Sequence, residues 1–160
     1  MDKITPCLWF DGGAERALEL YGRVFGATVV DTQFHDDAGP GTARTLFTAR
    51  FEIHGRQYMI LNGGPAFSHS EAFSLSVDCE DQEEADRYWD ALVADGGEEG
   101  RCGWLKDPFG ISWQIVPRAL PRLLEQKDRE AAARVMQAMM GMTRIVVSEL
   151  EAASAGPGTR

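Results

Sequence analysis

Apolar positions along the chain follow two periods, about 2 and about 3.6 residues, and the order in which these periods succeed one another repeats. Ile4 to Phe10 is apolar and aromatic, and Asp11-Gly12-Gly13 supplies turn residues after it. Ala14, Ala17, Leu18, Tyr21, Val24 and Phe25 then recur at spacings of three and four, which predicts a helix with one buried face, stopped at Gly26. Ala27 to Phe34 is β-branched and extended, and His35 to Thr42 is a polar loop with Gly39-Pro40-Gly41. Arg44 to Ile53 alternates, His54-Gly55 turns the chain, and Arg56 to Asn62 returns as a strand. The first half therefore reads β-α-β-β-β and ends in a polar connector through Ser70.

The second half begins the same order again. Phe73 to Cys79 alternates as a strand, and Asp81 to Asp95 is helical, with Ala85, Tyr88, Trp89, Leu92 and Val93 on one face. Gly96-Gly97 ends the helix. Short strands at Glu98 to Arg101 and Cys102 to Lys106, an Asp107-Pro108-Phe109-Gly110 turn and a strand from Ile111 to Pro117 complete the unit. Neither copy has enough elements to cover its own sheet, so the duplication predicts two curved sheets sharing a concave interior, with helices outside. Residues 118–160 break the plan with helices near Leu120 to Gln126, Asp128 to Met142 and Val147 to Ala153. Val135, Met136, Met139, Met142 or Thr143, and Val146 form a stripe that reads as packing, on the body or on a partner subunit.

With 160 residues, 44% hydrophobic and 26% charged, the chain has material for one core of ordinary domain size. Sixteen Lys and Arg against twenty-five Asp and Glu leave a net charge of −9, which opposes attraction to nucleic acid or anionic membrane surfaces. Residues 1–117 carry nine basic and twenty acidic side chains, net −11, and residues 118–160 carry seven and five, net +2. The tail is thus electrostatically suited to lie against an acidic body. Three cysteines, Cys7, Cys79 and Cys102, form no CxxC pair. With no long apolar leader at the start, they point to a reducing, cytoplasmic setting.

Familiar catalytic signatures are missing. Asp11-Gly12-Gly13 and Asn62-Gly63-Gly64-Pro65 lack phosphate-loop spacing and read as turns. Ser68, Ser70, Ser74 and Ser76 sit in no nucleophile elbow. His35, His54 and His69 show no close metal-motif spacing and read as exposed or locally bonded, although His54 could meet a ligand at a pocket mouth. The acidic run from Asp78 to Asp90 reads as a solvated helix face, with Asp81 as its cap. Asp107 reads as a residue that closes its turn.

Two stretches carry a resemblance: Ala14-Glu15-Arg16-Ala17-Leu18-Glu19-Leu20-Tyr21 through Val24-Phe25-Gly26, and Trp104-Leu105-Lys106-Asp107-Pro108-Phe109-Gly110-Ile111-Ser112-Trp113-Gln114. The chain resembles the PhnB-like branch of the vicinal oxygen chelate superfamily, related to glyoxalases and bleomycin-resistance proteins, over residues 3–117. Ala131 to Met139 is similar to that branch too. The resemblance implies an α+β domain at 3–117, built from repeats at about 3–63 and 72–117 that form a half-open barrel around a pocket, with a helical extension at 118–160. It also implies a homodimer. Metal-dependent members place His, Glu or Gln on the opening and closing strands of each repeat. Those positions fall here near Pro6, Ile60, Ala72 and Gln114, of which only Gln114 has a donor atom suited to a divalent ion. A slip of one or two residues brings in Cys7 or Ser74, still short of a metal cage.

Strand alternation groups Pro6, Leu8 and Phe10 against Cys7 and Trp9, and groups Ser112, Gln114 and Val116. With Pro6 and Gln114 facing the cavity, Phe10, Tyr58, Asn62, Ser74, Ser112 and Gln114 become candidate ligand contacts, and Trp104 is a further candidate on the next strand. Trp9 and Trp113 would then face the helices. The expectation is a cytoplasmic, homodimeric protein that holds a small organic molecule without metal or other cofactor. The alternatives are a metal-dependent lyase, isomerase or dioxygenase, a metal-independent enzyme using Gln114 with Tyr58, or an interaction module whose cavity is filled by Phe10 and Tyr58. Members of the branch also carry a demethylubiquinone methyltransferase name. No Gly-rich loop after a parallel strand stands out here for an adenosyl cofactor.

Overall fold

Each β-α-β-β-β run becomes one open four-stranded sheet with a helix against one face, and the tail adds helices to the second, giving a mixed α+β protein of two tandem modules. The computed structural model describes residues 3–35 and 44–156. Of the predicted loop from His35 to Thr42, residues 36–42 lie outside the described residues. The chain divides into two units, Met1–His69 and Ser70–Arg160.

The first unit runs β1 (Cys7–Phe10), α1 (Ala14–Phe25), β2 (Thr28–Phe34), β3 (Leu46–Ile53) and β4 (Arg56–Asn62), with sheet order β1-β4-β3-β2. β1 lies parallel to β4, and the other pairs are antiparallel. β1 starts later than the apolar run suggests: Ile4 is 88% exposed, and Pro6 has no N–H with which to extend the ladder. His54 and Gly55, with φ of 47° and 78°, make a two-residue hairpin turn. Cross-strand pairing puts Leu8, Ile60 and Ala49 on one face, and Phe51 on that face stacks 6.0 Å from Tyr21 of α1. Leu8, Ile60, Phe51 and Tyr21, all nearly inaccessible, form the core between sheet and helix. The stop at Gly26 is as expected, with φ 68° and its N–H donating to Gly22 O.

The second unit repeats the plan with β5 (Ser74–Cys79), α2 (Gln82–Val93), a short 3-10 turn (Ala94–Gly96), β6 (Glu98–Glu99), β7 (Trp104–Lys106) and β8 (Ser112–Pro117), in the order β5-β8-β7-β6. The Asp81 carboxylate caps α2 by accepting from Glu84 N at 2.9 Å. Trp89 of α2 is fully buried, and its indole donates to Glu99. Glu99 pairs with Leu105, and Leu105 pairs with Trp113. α2 therefore covers the face of Leu75, Val77, Leu105, Trp113 and Ile115.

The expected strands flanking residues 100–103 are cut short by the tail. Cys102 and Gly103 turn into the left-handed region, φ 58° and 83°, and their N–H groups donate to Met142 O and Thr143 O, both at 2.8 Å. The tail forms α3 (Ala119–Leu124), α4 (Arg129–Gly141) and α5 (Val147–Ala155), joined by a core of Leu120, Val135, Met142, Ile145 and Leu150. Val135 and Met142 from the predicted stripe are buried, but Met136 is 44% exposed. The Gln82 side chain latches the tail to the start of α2, donating to Ile145 O at 3.0 Å and accepting from Val147 N at 2.7 Å. Arg144 pairs with Asp86 and Asp90 and lies over Trp89, so part of the acidic helix face is a docking strip for the basic tail rather than a solvated surface. Among the described residues no helix is long and apolar enough to cross a membrane.

Candidate functional site

The face of the second sheet turned away from α2 carries two cross-strand rows. Ser74 pairs with Ser112, Ser112 with Lys106, and Lys106 with Glu98; beside them Ser76 pairs with Gln114, and Gln114 with Trp104. Neighbours in such rows lie side by side on one face of the sheet, so their side chains can act together. The Gln114 amide donates to Ser74 Oγ at 2.9 Å. Ser112 is 2% exposed, and its Oγ has no hydrogen-bond partner, a state that costs about 1–3 kcal/mol while it lasts. Lys106 Nζ contacts Glu71 Oε1 at 2.5 Å. The hydrogen bond from Lys106 holds the Glu71 carboxyl below its ordinary range, and the same bond raises the Lys106 ammonium above its own.

Of the residues singled out by sequence, Ser74, Trp104, Ser112 and Gln114 therefore share one sheet face. Phe10, Tyr58 and Asn62 lie on the α1 side of the first sheet, because the alternation in that unit runs one residue out of the expected phase. Tyr58 stacks on Phe51 with centroids 5.4 Å apart. Phe10 is 4% exposed and meets the His69 ring edge-on. The Asn62 amide is taken up at both ends: Oδ1 accepts from Ala14 N at 3.1 Å, capping α1 where Gly13 offers no side chain, and Nδ2 donates to Leu46 O at 3.0 Å.

Trp9 accordingly faces away from α1, contrary to expectation. The connector covers it instead: its indole donates to Gly64 O at 2.8 Å, Phe67 meets it edge-on, and a Cβ at Gly63 would fall 2.3 Å from its ring. Trp113 does face its helix. Sequence reasoning missed Lys106 and Glu71, although Lys106, two residues beyond Trp104, is on that residue's face by simple alternation.

The four positions at which the sequence resemblance implies metal ligands offer a poor donor set. Ile60 is wholly buried on the α1 side, Pro6 and Ala72 flank their strands, and Gln114 is bonded to Ser74. These residues do not fit a divalent ion, which needs several oxygen or nitrogen ligands. Among the described residues no three His, Cys, Asp or Glu side chains are grouped to hold one. His35 packs on Phe47, and His54 is exposed at its turn. His69 is half-buried with an unpartnered Nε2, which its loop position did not suggest. Burial pushes the Cys79 thiol up to about 12, with Glu84 adding to the effect, so it is no nucleophile at neutral pH. Asp107 is 3% exposed and accepts from Phe109 N, Ile111 N and the Trp113 indole at 2.9–3.0 Å. It closes the turn, as its sequence context suggests.

Residues 2–116 match the family model described as 3-demethylubiquinone-9 3-methyltransferase. Among solved structures, the PhnB protein from Bacillus cereus is 32% identical, over 72% of this chain and 99% of that one, with a TM-score of 0.65. A protein from Pseudomonas aeruginosa is 24% identical, over 73% and 98%, with a TM-score of 0.59. The fosfomycin resistance protein FosX from Listeria monocytogenes, complexed with Mn(II) and sulfate, is 15% identical, over 71% and 90%, with a TM-score of 0.52; these last two share the fold. No curated protein matches the chain.

Proposed function

The chain belongs to the family described as 3-demethylubiquinone-9 3-methyltransferase, the PhnB-like branch of the vicinal oxygen chelate superfamily, and on that premise we propose that it binds a small organic molecule on the face of its second sheet turned away from α2, without a resident metal. The observation that carries this reading is the buried, unpartnered Ser112 hydroxyl beside the Gln114–Ser74 pair. A polar atom left unbonded inside a fold is destabilising unless something else completes it. Trp104 supplies an apolar wall, and Ser74, Lys106, Ser112 and Gln114 supply a few directional polar groups, the usual make-up of a small-molecule site. In this reading the protein works as a homodimer in the cytoplasm, residues 3–117 form the ligand-binding domain, and residues 118–160 serve as its brace.

Methyl transfer, the activity in the family's description, finds little support in these residues. Asp11-Gly12-Gly13 does join β1, which has a parallel neighbour, to α1. However, the first amide of α1 is already occupied by Asn62, leaving that turn poorly placed to cradle a cofactor. A metal-independent enzyme pairing Gln114 with Tyr58 loses support because Tyr58 lies on the α1 side of the first sheet, whereas Gln114 is on the face of the second sheet turned away from α2. A thermal-shift screen of small organic molecules tests the proposal. Hits should stabilise the wild type and lose their effect in Gln114→Ala and Trp104→Ala. Hits indifferent to both substitutions would count against the site, and a stoichiometric, tightly held divalent ion in purified protein would overturn the metal-free reading.

A further inference from the structure

We propose that the ligand of this face is a small organic monocarboxylate, and that Glu71 holds its place on Lys106 until it arrives; this rests on the reading of the face as a ligand site. Lys106 stands between two carboxylates, Glu71 in contact and Glu98 as its cross-strand neighbour. The two differ in how they are held. Glu98 is fixed in β6, whereas Glu71 comes from the connector before β5, outside any strand, with a side chain 64% exposed. An exposed ion pair of this kind contributes little to stability, so exchanging Glu71 for another carboxylate costs the fold little.

The incoming group gains more than Glu71 does. Ser112 is the cross-strand partner of Lys106, and its unpartnered hydroxyl can donate to an oxygen held by the ammonium. An acceptor served at once by a hydroxyl and an ammonium is best matched by an anionic oxygen. Charge count selects its valence: a monocarboxylate replaces Glu71 one for one, whereas a dianion adds a negative charge beside Glu98. Trp104 on the adjoining row offers its ring to an apolar body.

Calorimetric titration of the full chain with phenylacetate, and with its neutral isostere phenylacetamide, tests this. Phenylacetate should bind the wild type more tightly than the amide. Glu71→Gln, which removes the competing carboxylate, should tighten phenylacetate several-fold and leave the amide unchanged. Lys106→Gln should weaken phenylacetate by more than about tenfold, the scale of a lost charge-assisted hydrogen bond, and Ser112→Ala should weaken it as well. Circular dichroism of each variant confirms folding. If both probes bind with equal affinity, and Glu71→Gln changes neither while Trp104→Ala weakens both, the monocarboxylate proposal fails and the ligand face stands. If neither probe binds and the wider screen finds no molecule sensitive to Gln114 or Trp104, the reading of the face fails with it.

Discussion

Replacing Asp107 offers a severe test of the way this sequence builds its second sheet. The carboxylate is 3% exposed and accepts three hydrogen bonds, two at Oδ1 from Phe109 N and Ile111 N and one at Oδ2 from the Trp113 indole. Ile111 and Trp113 are themselves 1% and 3% exposed, so in Asp107→Ala their donors cannot turn to water. Each buried donor left without a partner costs about 1–3 kcal/mol; with Phe109 N half-buried and able to reach water, the two buried donors set the sum at about 2–6 kcal/mol. Asp107→Asn keeps an oxygen for the two backbone donors but points an N–H at the indole, and its cost should fall between zero and the alanine value. Urea unfolding followed by tryptophan fluorescence measures both variants, with an unchanged m-value showing that the same surface is exposed. A loss below about 1 kcal/mol for Asp107→Ala would mean that these three hydrogen bonds do not hold the turn, and the Asp-Pro-Phe-Gly stretch would then need another explanation.

Further expectations concern the cap, the latch and the titrating groups. Asn62→Ala removes the only side-chain cap of α1 seen among the described residues and should cost about 1–2 kcal/mol in the same urea assay. Gln82→Ala breaks both hydrogen bonds to the tail at Ile145 and Val147; limited proteolysis should then cut within residues 143–147 faster than in the wild type. The folded Cys79 thiol is raised, so its contribution is complete below the ordinary thiol range and is lost as pH rises toward about 12. Native Cys79 should therefore resist thiol reagents at pH 8 and react once urea unfolds the protein. Glu71 is lowered in the folded state, so the stabilising effect of its pair with Lys106 is present above the ordinary carboxylate range and disappears as pH falls through the lowered value. The stability difference between wild type and Glu71→Gln should accordingly shrink on acidification.

Periodicity made the architecture legible: α1 and β4 begin and end where their apolar spacing and turn residues put them, and the two modules share one strand order. Strand ends were harder to read, because they depend on partners far along the chain. Cys102 and Gly103 look like strand residues until the tail claims their amides. The phase of β1 departs from its sequence pattern for a related reason. A large aromatic such as Trp9 suggests a helix-facing core residue, yet a glycine-rich connector can bury it on the opposite face. That shift of one residue places Phe10, Tyr58 and Asn62 on the side of their sheet opposite to the one that alternation predicts. The second-sheet candidates escaped it because Gln114 and Trp104 are cross-strand partners. Lys106 was visible in the motif, but its relation to Glu71 depends on how the connector folds, which no local pattern encodes.

Chemical-shift mapping by two-dimensional NMR, with the tightest molecule from the screen added to saturation, locates the ligand on the protein. The largest changes should fall at the Trp104 indole, the Gln114 side-chain amide and the backbone amides of Ser74, Lys106 and Ser112, saturating together with one affinity. Shifts confined to the first sheet or to the tail helices, with these five residues unmoved, would contradict the proposed site.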